Sequence, residues 1–339
     1  MNINSLECHR SILLVGEGNF TFTQGLISLF SENNLHKIQL TSTSLDEKDY
    51  VCNRYLDGSQ DFFEVLEQNP YCDIFHGVDA TQLERCFMSQ RFDLIIFNFP
   101  HHAGKGKIQK NRQLLEAFFK SGKTVLAPDD VDDHSMISEI KVTLAKGQGG
   151  TEADEEQRIW GNSWQVVEQG AKAGLVLKGV DCFDSQLWHD LGYRCCGRRS
   201  QGVGNFATDG ALVHTFVREG IGVPCMYPVQ HIHDISFWYG EISREDFIAG
   251  NMEAPPFDED SFLQIVHNHT QGFLQSIEFQ EIYFSQKQNE RSNNHKVSRS
   301  YRLCYSSQDD RSLSRQKSVK LQDALRSAIE ESGIGSFKG

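Results

Sequence analysis

The segment ILLVGEGNFTFT (12–23) ends an apolar run in a glycine turn that carries an acid, Gly16-Glu17-Gly18-Asn19-Phe20-Thr21. Three kinds of ligand compete for such a turn. A P-loop needs G-x-x-x-x-G-K-[ST], and no Gly-Lys-Ser/Thr follows. A dinucleotide fingerprint needs glycine where Thr21 stands, and it would bring Glu17 against a pyrophosphate. A carboxylate within about 4 Å of a phosphate opposes binding by ~1 kcal/mol even in water-like surroundings. The same carboxylate favours a ligand that is cationic and free of phosphate at that point. S-adenosylmethionine fits this description, with a sulfonium, an α-ammonium and no phosphate. Its ribose diol needs an acceptor past the second strand, where Asp46 stands, and its adenine amine needs one past the third, where Asp79 stands. A tight turn with two solvent-facing acids explains any one feature alone. Their recurrence at successive strand ends points to a cofactor, with Gly16, Glu17, Gly18, Asn19, Asp46 and Asp79 as candidate contacts.

A second constellation follows the fourth strand, in FNFPHHAGKGKIQKNRQLL (97–115). Asn98 offers a carboxamide able to read an amide or imide edge, and Phe99 and Pro100 offer apolar walls for a flat base. His101 and His102 have ordinary pKa values of about 6.5 and are candidate proton acceptors. They read equally well as solvent histidines beside an Asn-Phe-Pro turn. Lys105, Lys107, Lys110 and Arg112 are candidate grips for a phosphate backbone beside that mouth.

These groups need a scaffold that gathers strand ends. SILLV (11–15), IQLTSTS (38–44), CDIFHGVD (72–79), FDLIIFNF (92–99), EIKVTLA (139–145) and GLVLKGV (174–180) are short, apolar and β-branched. Helical spacing lies between most of them: Phe22, Leu26 and Leu29 share one face, as do Leu114, Leu115, Phe118 and Phe119. Alternating strands and helices predict a parallel sheet covered on both sides, with reactive groups at the strands' carboxyl ends. ALVHTFVRE (211–219) predicts a last, antiparallel strand. GIGVPCMYP (220–228) breaks the pattern and marks a boundary. Beyond it the order strand (HDISFW), helix (DEDSFLQIVHNHTQG), strand (FLQSIEFQEIYFS), strand (KVSRSYRLCYSS), helix (314–333) predicts a split βαβ arrangement, with a tail able to add a strand.

Composition narrows the class. Among 339 residues, 39% are hydrophobic and 23% charged, ordinary for a globular chain with room for two cores. No apolar run approaches the ~20 residues of a membrane span. The start, MNINSLECHR, lacks the marks of a secretory or transit signal, so a cytoplasmic or nuclear, including nucleolar, setting is expected. Nine cysteines without a C-x-x-C read as reduced thiols, not as a disulfide or zinc framework. A net charge of −13 argues against coating nucleic acid, yet positions 98–123 hold six Lys/Arg against one acid and positions 287–320 nine against three. No metal is expected: the acidic PDDVDDH (128–134) reads as a solvated loop, and HIHD (231–234) has no further ligands nearby.

The motifs LLVGEGNFTFT, TSTSLDE, HGVDAT, FDLIIFNFPHHAGK, NRQLLEAFFKS and EIKVTLAKGQGG…NSWQVV together resemble the eukaryotic ribosomal-RNA uridine-N(3) methyltransferase-like family, over about residues 11–218. The resemblance implies an α/β, Rossmann-like S-adenosylmethionine-dependent methyltransferase domain over 1–222 that methylates ribosomal RNA. It implies that Gly16, Glu17, Gly18, Asn19, Asp46 and Asp79 contact the cofactor, and that Asn98, Pro100 and His101 face the target base. YPVQHIHDISFW and SYRLCYSSQDDRSLSRQKSVKLQDALRSAI resemble the ferredoxin-fold anticodon-binding domain of phenylalanyl-tRNA enzymes, which implies an α+β, ferredoxin-like RNA-contacting domain over 225–339. The basic run there supports RNA contact through Arg299, Arg302 and Arg315, with Tyr301 and Tyr305 interleaved as stacking surfaces or as strand core. About ten residues separate the two modules, too few for an aminoacylation core. The pair resembles ferredoxin-fold anticodon-binding domain-containing animal proteins. Two functions follow: methylation of a base, ribosomal RNA first and transfer RNA second, or RNA binding by a vestigial methyltransferase fold.

Overall fold

A computed structural model describes residues 9–35, 37–55, 61–102, 107–129, 137–156, 158–196, 207–220, 225–289, 292–308 and 311–337. The chain divides into two compact units, Met1–Tyr227 and Pro228–Gly339. Among the described residues, no helix is long and apolar enough to cross a membrane.

The first unit alternates as its sequence pattern predicts. Its order is β1 (Ser11–Val15), α1 (Thr21–Glu32), β2 (Gln39–Thr43), α2 (Lys48–Tyr55), α3 (Asp61–Glu67), β3 (Cys72–Phe75), α4 (Leu83–Cys86), β4 (Leu94–Asn98) and α5 (Ile108–Val125). Then come β5 (Glu139–Leu144), α6 (Val166–Lys172), β6 (Leu175–Cys182), α7 (Ser185–Asp190) and β7 (Leu212–Arg218). The strands form one sheet in the order β3-β2-β1-β4-β5-β7-β6, and only β7 runs against its neighbours. The central strands are buried on both faces, which is why SILLV and LIIF read as unbroken apolar runs instead of alternating. α1 packs Phe22, Leu26, Leu29 and Phe30 on one side of the sheet, and α5 packs Leu115, Phe118 and Phe119. The fold is Rossmann-like. Its strand order reverses between β1 and β4, and ligands of open α/β sheets sit in the crevice at such a reversal.

The second unit contains β8 (His231–Ile242), α8 (Arg244–Ala249), α9 (Glu259–His269), β9 (Leu274–Gln288), β10 (His295–Tyr305) and α10 (Arg315–Glu331). Its antiparallel sheet has the order β8-β10-β9. Among the described residues the tail contributes one bridge, in which Trp238 and Ser336 exchange backbone hydrogen bonds on the outer edge of β8. The arrangement is the α+β, ferredoxin-like one. α8 is an addition to the expected elements. Ser243 caps it by accepting from Asp246 N, and Gly250 closes it at φ 76°, so both of its ends were written in the sequence.

Candidate functional site

The glycine turn opens directly from β1. Gly16 adopts φ 70°, and a Cβ there would lie 2.5 Å from Phe97 Cε2, so the position demands glycine twice over. Glu17 N donates to Thr43 O (2.8 Å), tying the turn to the end of β2. Asn19 Oδ1 accepts from Thr21 N and Thr21 Oγ1, holding the start of α1, where Phe20 takes a left-handed φ of 57°.

Between the carboxyl ends of β1 and β4 lies a cavity of about 320 Å³, within the range of small-molecule sites. Gly16, Glu17, Gly18, Asn19, Asp46, Asp79, Asn98 and His101 all line it, so eight residues spread over 86 positions of sequence converge on one hollow. Pro100 is buried and does not reach the cavity wall; the base-facing role expected of it falls to its neighbours Phe97 and Phe99, which do.

Glu17 is the electrostatic centre. It is 8% exposed, and burial pushes its carboxyl up to about 7 against the opposing hydrogen bonds from Thr23. A carboxyl held at that value ionises readily once a cation arrives and stays cheaply neutral until then. Asp79 also lines the cavity. Burial would raise its carboxyl, but bonds from Thr81 N and Oγ1 (both 2.8 Å) and Gln82 Nε2 (3.1 Å) outweigh burial and hold it below the usual range. Asp46 follows Ser44, whose hydroxyl accepts from Asp46 N (3.0 Å) and so shapes the bend after β2.

At the tip of β4, Thr143 Oγ1 donates to Asn98 Oδ1 at 2.6 Å, while Asn98 Nδ2 is buried with no hydrogen-bond partner. Asn98 lines the cavity, though Nδ2 itself is closed off from it. His101 is exposed at the rim, its ring 6.0 Å from that of Trp164. His102 does not line the cavity; its backbone N donates to Asn111 Oδ1 (3.0 Å).

The cavity has a wall that sequence reasoning missed, the strand-free stretch after α7. Asn19 Nδ2 donates to Arg194 O (2.8 Å) and Arg194 N to Thr21 Oγ1 (2.9 Å), which stitches Tyr193, Cys195 and Cys196 against the glycine turn. The side chain of Asn19 is spent on this staple, so Asn19 bounds the cavity without offering its amide to it. Burial pushes the Cys195 and Cys196 thiols up to about 11 and 12 and the Tyr193 phenol well above its ordinary value. The vicinal cysteines were the only available signal for this wall.

The RNA-facing candidates fare unevenly. Lys107 and Lys110 are exposed at the start of α5, whereas Arg112 donates to Ser163 O (2.7 Å) and Gly161 O (2.9 Å) and holds that loop instead. Lys105 and most of the acidic loop (130–134) lie outside the described residues. In the second unit, Arg299 pairs with Glu259 (2.9 Å) and lies over the rings of Phe257 and Phe279, as a core keystone instead of a phosphate grip. Arg302 makes a two-pronged pair with Asp234 (2.8 and 2.9 Å). Tyr301 and Tyr305 are strand core, not stacking surfaces. Arg315 and Lys320 are exposed on α10. His231 Nε2 lies 3.3 Å from Leu313 O and His233 Nε2 3.1 Å from Ser318 Oγ, so both rings serve packing.

The model of the BMT5-like family, rRNA (uridine-N3-)-methyltransferase BTM5-like, matches residues 13–197. The chain belongs to this family. The matched span holds the glycine turn, both strand-end acids, Asn98 and the Cys195–Cys196 wall. The human ferredoxin-fold anticodon-binding domain-containing protein 1 is 41% identical over 211 residues, covering 62% of this chain and 31% of that protein. Its mouse homolog is 38% identical over 213 residues, with the same coverages. The chain thus spans about a third of the length of these relatives. A 30S ribosomal A1408 methyltransferase from an uncultured bacterium superposes with a TM-score of 0.36 at 9% identity, covering 64% of this chain and 91% of that one; a likeness at this level carries nothing further.

Proposed function

We propose that this chain is an S-adenosylmethionine-dependent RNA methyltransferase that methylates N3 of a uridine in ribosomal RNA. The observation that carries the reading is the convergence, on one cavity, of the buried acid Glu17, the strand-end acids Asp46 and Asp79, and Asn98. The residues suit the cofactor: a neutralisable carboxyl beside a phosphate-free turn, and two further acids, Asp46 and Asp79, on the same wall. Bound there, S-adenosylmethionine supplies an electrophilic methyl group on a cationic sulfur. Glu17 favours that positive charge in a site with little water to screen it. Asp46 and Asp79 accept hydrogen bonds from hydroxyl and amine groups. Asn98 holds the base edge, so that the ring nitrogen arrives in line and bimolecular entropy is removed from the step. His101, exposed at the rim, takes the imide proton directly or through water.

N3 lies on the pairing edge of uridine, so the base must be unpaired or flipped outward to enter. Lys107 and Lys110 beside the mouth, and Arg315 and Lys320 on α10 of the second unit, are the exposed cations offered to the RNA backbone. In this reading residues 1–222 form the methyltransferase domain and 225–339 an RNA-contacting domain, and ribosomal RNA sets a cytoplasmic or nucleolar location. Incubation with radiolabelled S-adenosylmethionine and unmodified ribosomal RNA tests it. Label in RNA with wild type, lost in Asn98→Ala while calorimetry shows unchanged cofactor affinity, supports the enzyme. Cofactor and RNA binding without label in wild type would leave a non-catalytic RNA-binding protein.

A further inference from the structure

We infer that Asn19 and Thr21 serve the cofactor indirectly, by stapling residues 188–196 over the glycine turn as the wall that keeps water from Glu17; the inference rests on the methyltransferase reading above. The staple is a closed ring of hydrogen bonds. Arg194 N donates to Thr21 Oγ1 (2.9 Å), Thr21 Oγ1 donates to Asn19 Oδ1 (2.8 Å), and Asn19 Nδ2 donates to Arg194 O (2.8 Å). A backbone N–H can only donate and a carbonyl can only accept, so Arg194 fixes the direction of every bond in the ring, the sense of the Asn19 amide included. Thr21 N, a second donor to Asn19 Oδ1 (3.2 Å), demands the same sense.

The turn and α1 are shaped to receive this segment. A Cβ on Gly18 would lie 2.6 Å from Cys196 Sγ, and one on Gly25 would lie 3.2 Å from Leu191 O, so glycine lets the segment come close at both points. The Phe22 ring lies 4.3 Å from that of Trp188 and 5.3 Å from that of Tyr193. The Arg194 guanidinium turns back onto His189 O (2.7 Å) and Tyr193 O (2.9 Å), bracing the segment from within. Tyr193, Cys195 and Cys196 line the cavity together with Glu17. Burial comes first in raising the phenol and both thiols, and the charge of Glu17 adds to all three, so its carboxyl lies within electrostatic reach of this wall. A carboxylate favours a cation strongly only where water is kept out. Asn19 and Thr21 are thus positioning residues that act through Arg194, and their effect appears as cofactor affinity.

The experiment uses the full chain. Labelling by N-ethylmaleimide, located by mass spectrometry, reads the wall at Cys195 and Cys196, and calorimetry reads the affinity for S-adenosylmethionine. Cys72, buried in β3 and no part of the cavity wall, reports on the fold. In wild type, saturating S-adenosylmethionine is expected to slow labelling of both wall thiols. Asn19→Ala and Thr21→Val are each expected to speed that labelling and to weaken cofactor binding by about tenfold, with Cys72 unchanged. KM for the cofactor should rise while kcat at saturation holds. Because either break releases the same wall, the double variant is expected to bind about as weakly as the weaker single one. Thr21→Ser keeps the hydroxyl and is expected to match wild type. Unchanged cofactor affinity in both single variants, or unchanged wall labelling, would overturn the inference and leave the methyltransferase reading intact. Should the variants lose their fold, seen as fast labelling of Cys72, the wild-type protection decides: wall thiols labelled equally fast with S-adenosylmethionine bound would overturn it as well. No binding of S-adenosylmethionine by wild type would bring down both.

Discussion

Replacing Glu17 by Gln separates folding from function with a predictable sign. The carboxyl rises from an ordinary 4.5 to about 7 in the fold, with burial as the cause. The native state therefore holds a proton that the unfolded chain releases between those two pH values. Stability from this group is present below pH 4.5, falls as pH rises through the interval, and is flat above 7. The shift corresponds to about 3 kcal/mol, the cost of carrying an ionised Glu17 in the empty cavity. Gln has no such cost and keeps an acceptor for Thr23 Oγ1, which lies 3.4 Å from Glu17 Oε2. At pH 8 Glu17→Gln should be more stable than wild type by roughly 1–3 kcal/mol without ligand, allowing for an amide group left to find a partner. At pH 4.5 the two should be equal. Cofactor affinity should move the opposite way, weakening at least about tenfold in the variant at pH 8 as the charge complement is lost.

The pH profile of wild type alone would mislead, because a second buried group opposes Glu17. Burial lowers His214 to about 4. Its unfolded form binds a proton that the native form refuses, so its contribution is complete above pH 6.5 and is lost as pH falls toward 4. The two slopes nearly cancel between pH 4.5 and 6.5. The assay is thus the difference, wild type minus Glu17→Gln, in urea denaturation at several pH values, in which the His214 contribution drops out. A flat difference profile, or a variant no more stable than wild type at pH 8, would refute the claim that Glu17 is held near neutrality for a cation.

Two further outcomes follow from the same geometry. Gly16→Ala should abolish measurable cofactor binding by calorimetry, because its Cβ meets Phe97 at 2.5 Å and its φ of 70° disfavours any side chain. In the second unit, Arg299→Ala should destabilise residues 228–339 by about 2 kcal/mol, seen in denaturation, through the loss of the Glu259 pair and the ring contacts. Arg315→Ala should leave stability within about 0.5 kcal/mol while weakening RNA binding in a filter assay.

Much of the scaffold was legible because both signals that build it are local. Apolar runs bounded by turns gave β1, β4 and β5, and 3.6-residue spacing gave α1 and α5. The tyrosines of β10 were legible too, though composition pointed elsewhere. Tyr301, Leu303 and Tyr305 alternate with Arg302 and Cys304, so they share the face of a leucine and must be core. The wall of Tyr193, Cys195 and Cys196 was not legible. Its hold on the glycine turn is a pair of hydrogen bonds spanning more than 170 residues, and no periodicity records such a contact. Thr143 lay in plain view as a polar residue in a buried strand, but its hydrogen bond to Asn98 depends on the register that sets the two opposite each other.

The residue types that suggested chemistry were more numerous than those the fold leaves able to do it, and hydrogen-bond accounting separates the two. Asn19, Arg112, Arg299 and Arg302 have the right chemistry, and each gives it to a protein partner: Arg194 O, Ser163 O, Glu259 and Asp234. A buried polar group that ends without a partner is costly, and evolution removes such groups unless something else completes them. Glu17 comes close to this, a buried carboxyl whose hydrogen bonds from Thr23 do not offset its burial. It lines the cavity at the reversal of strand order beside Asp46, Asp79 and Asn98, where a bound cation is the natural means of compensating it. That placement is stronger evidence for a binding site than the glycine spacing or the basic runs alone, because it joins an uncompensated buried acid to a cavity able to admit a ligand.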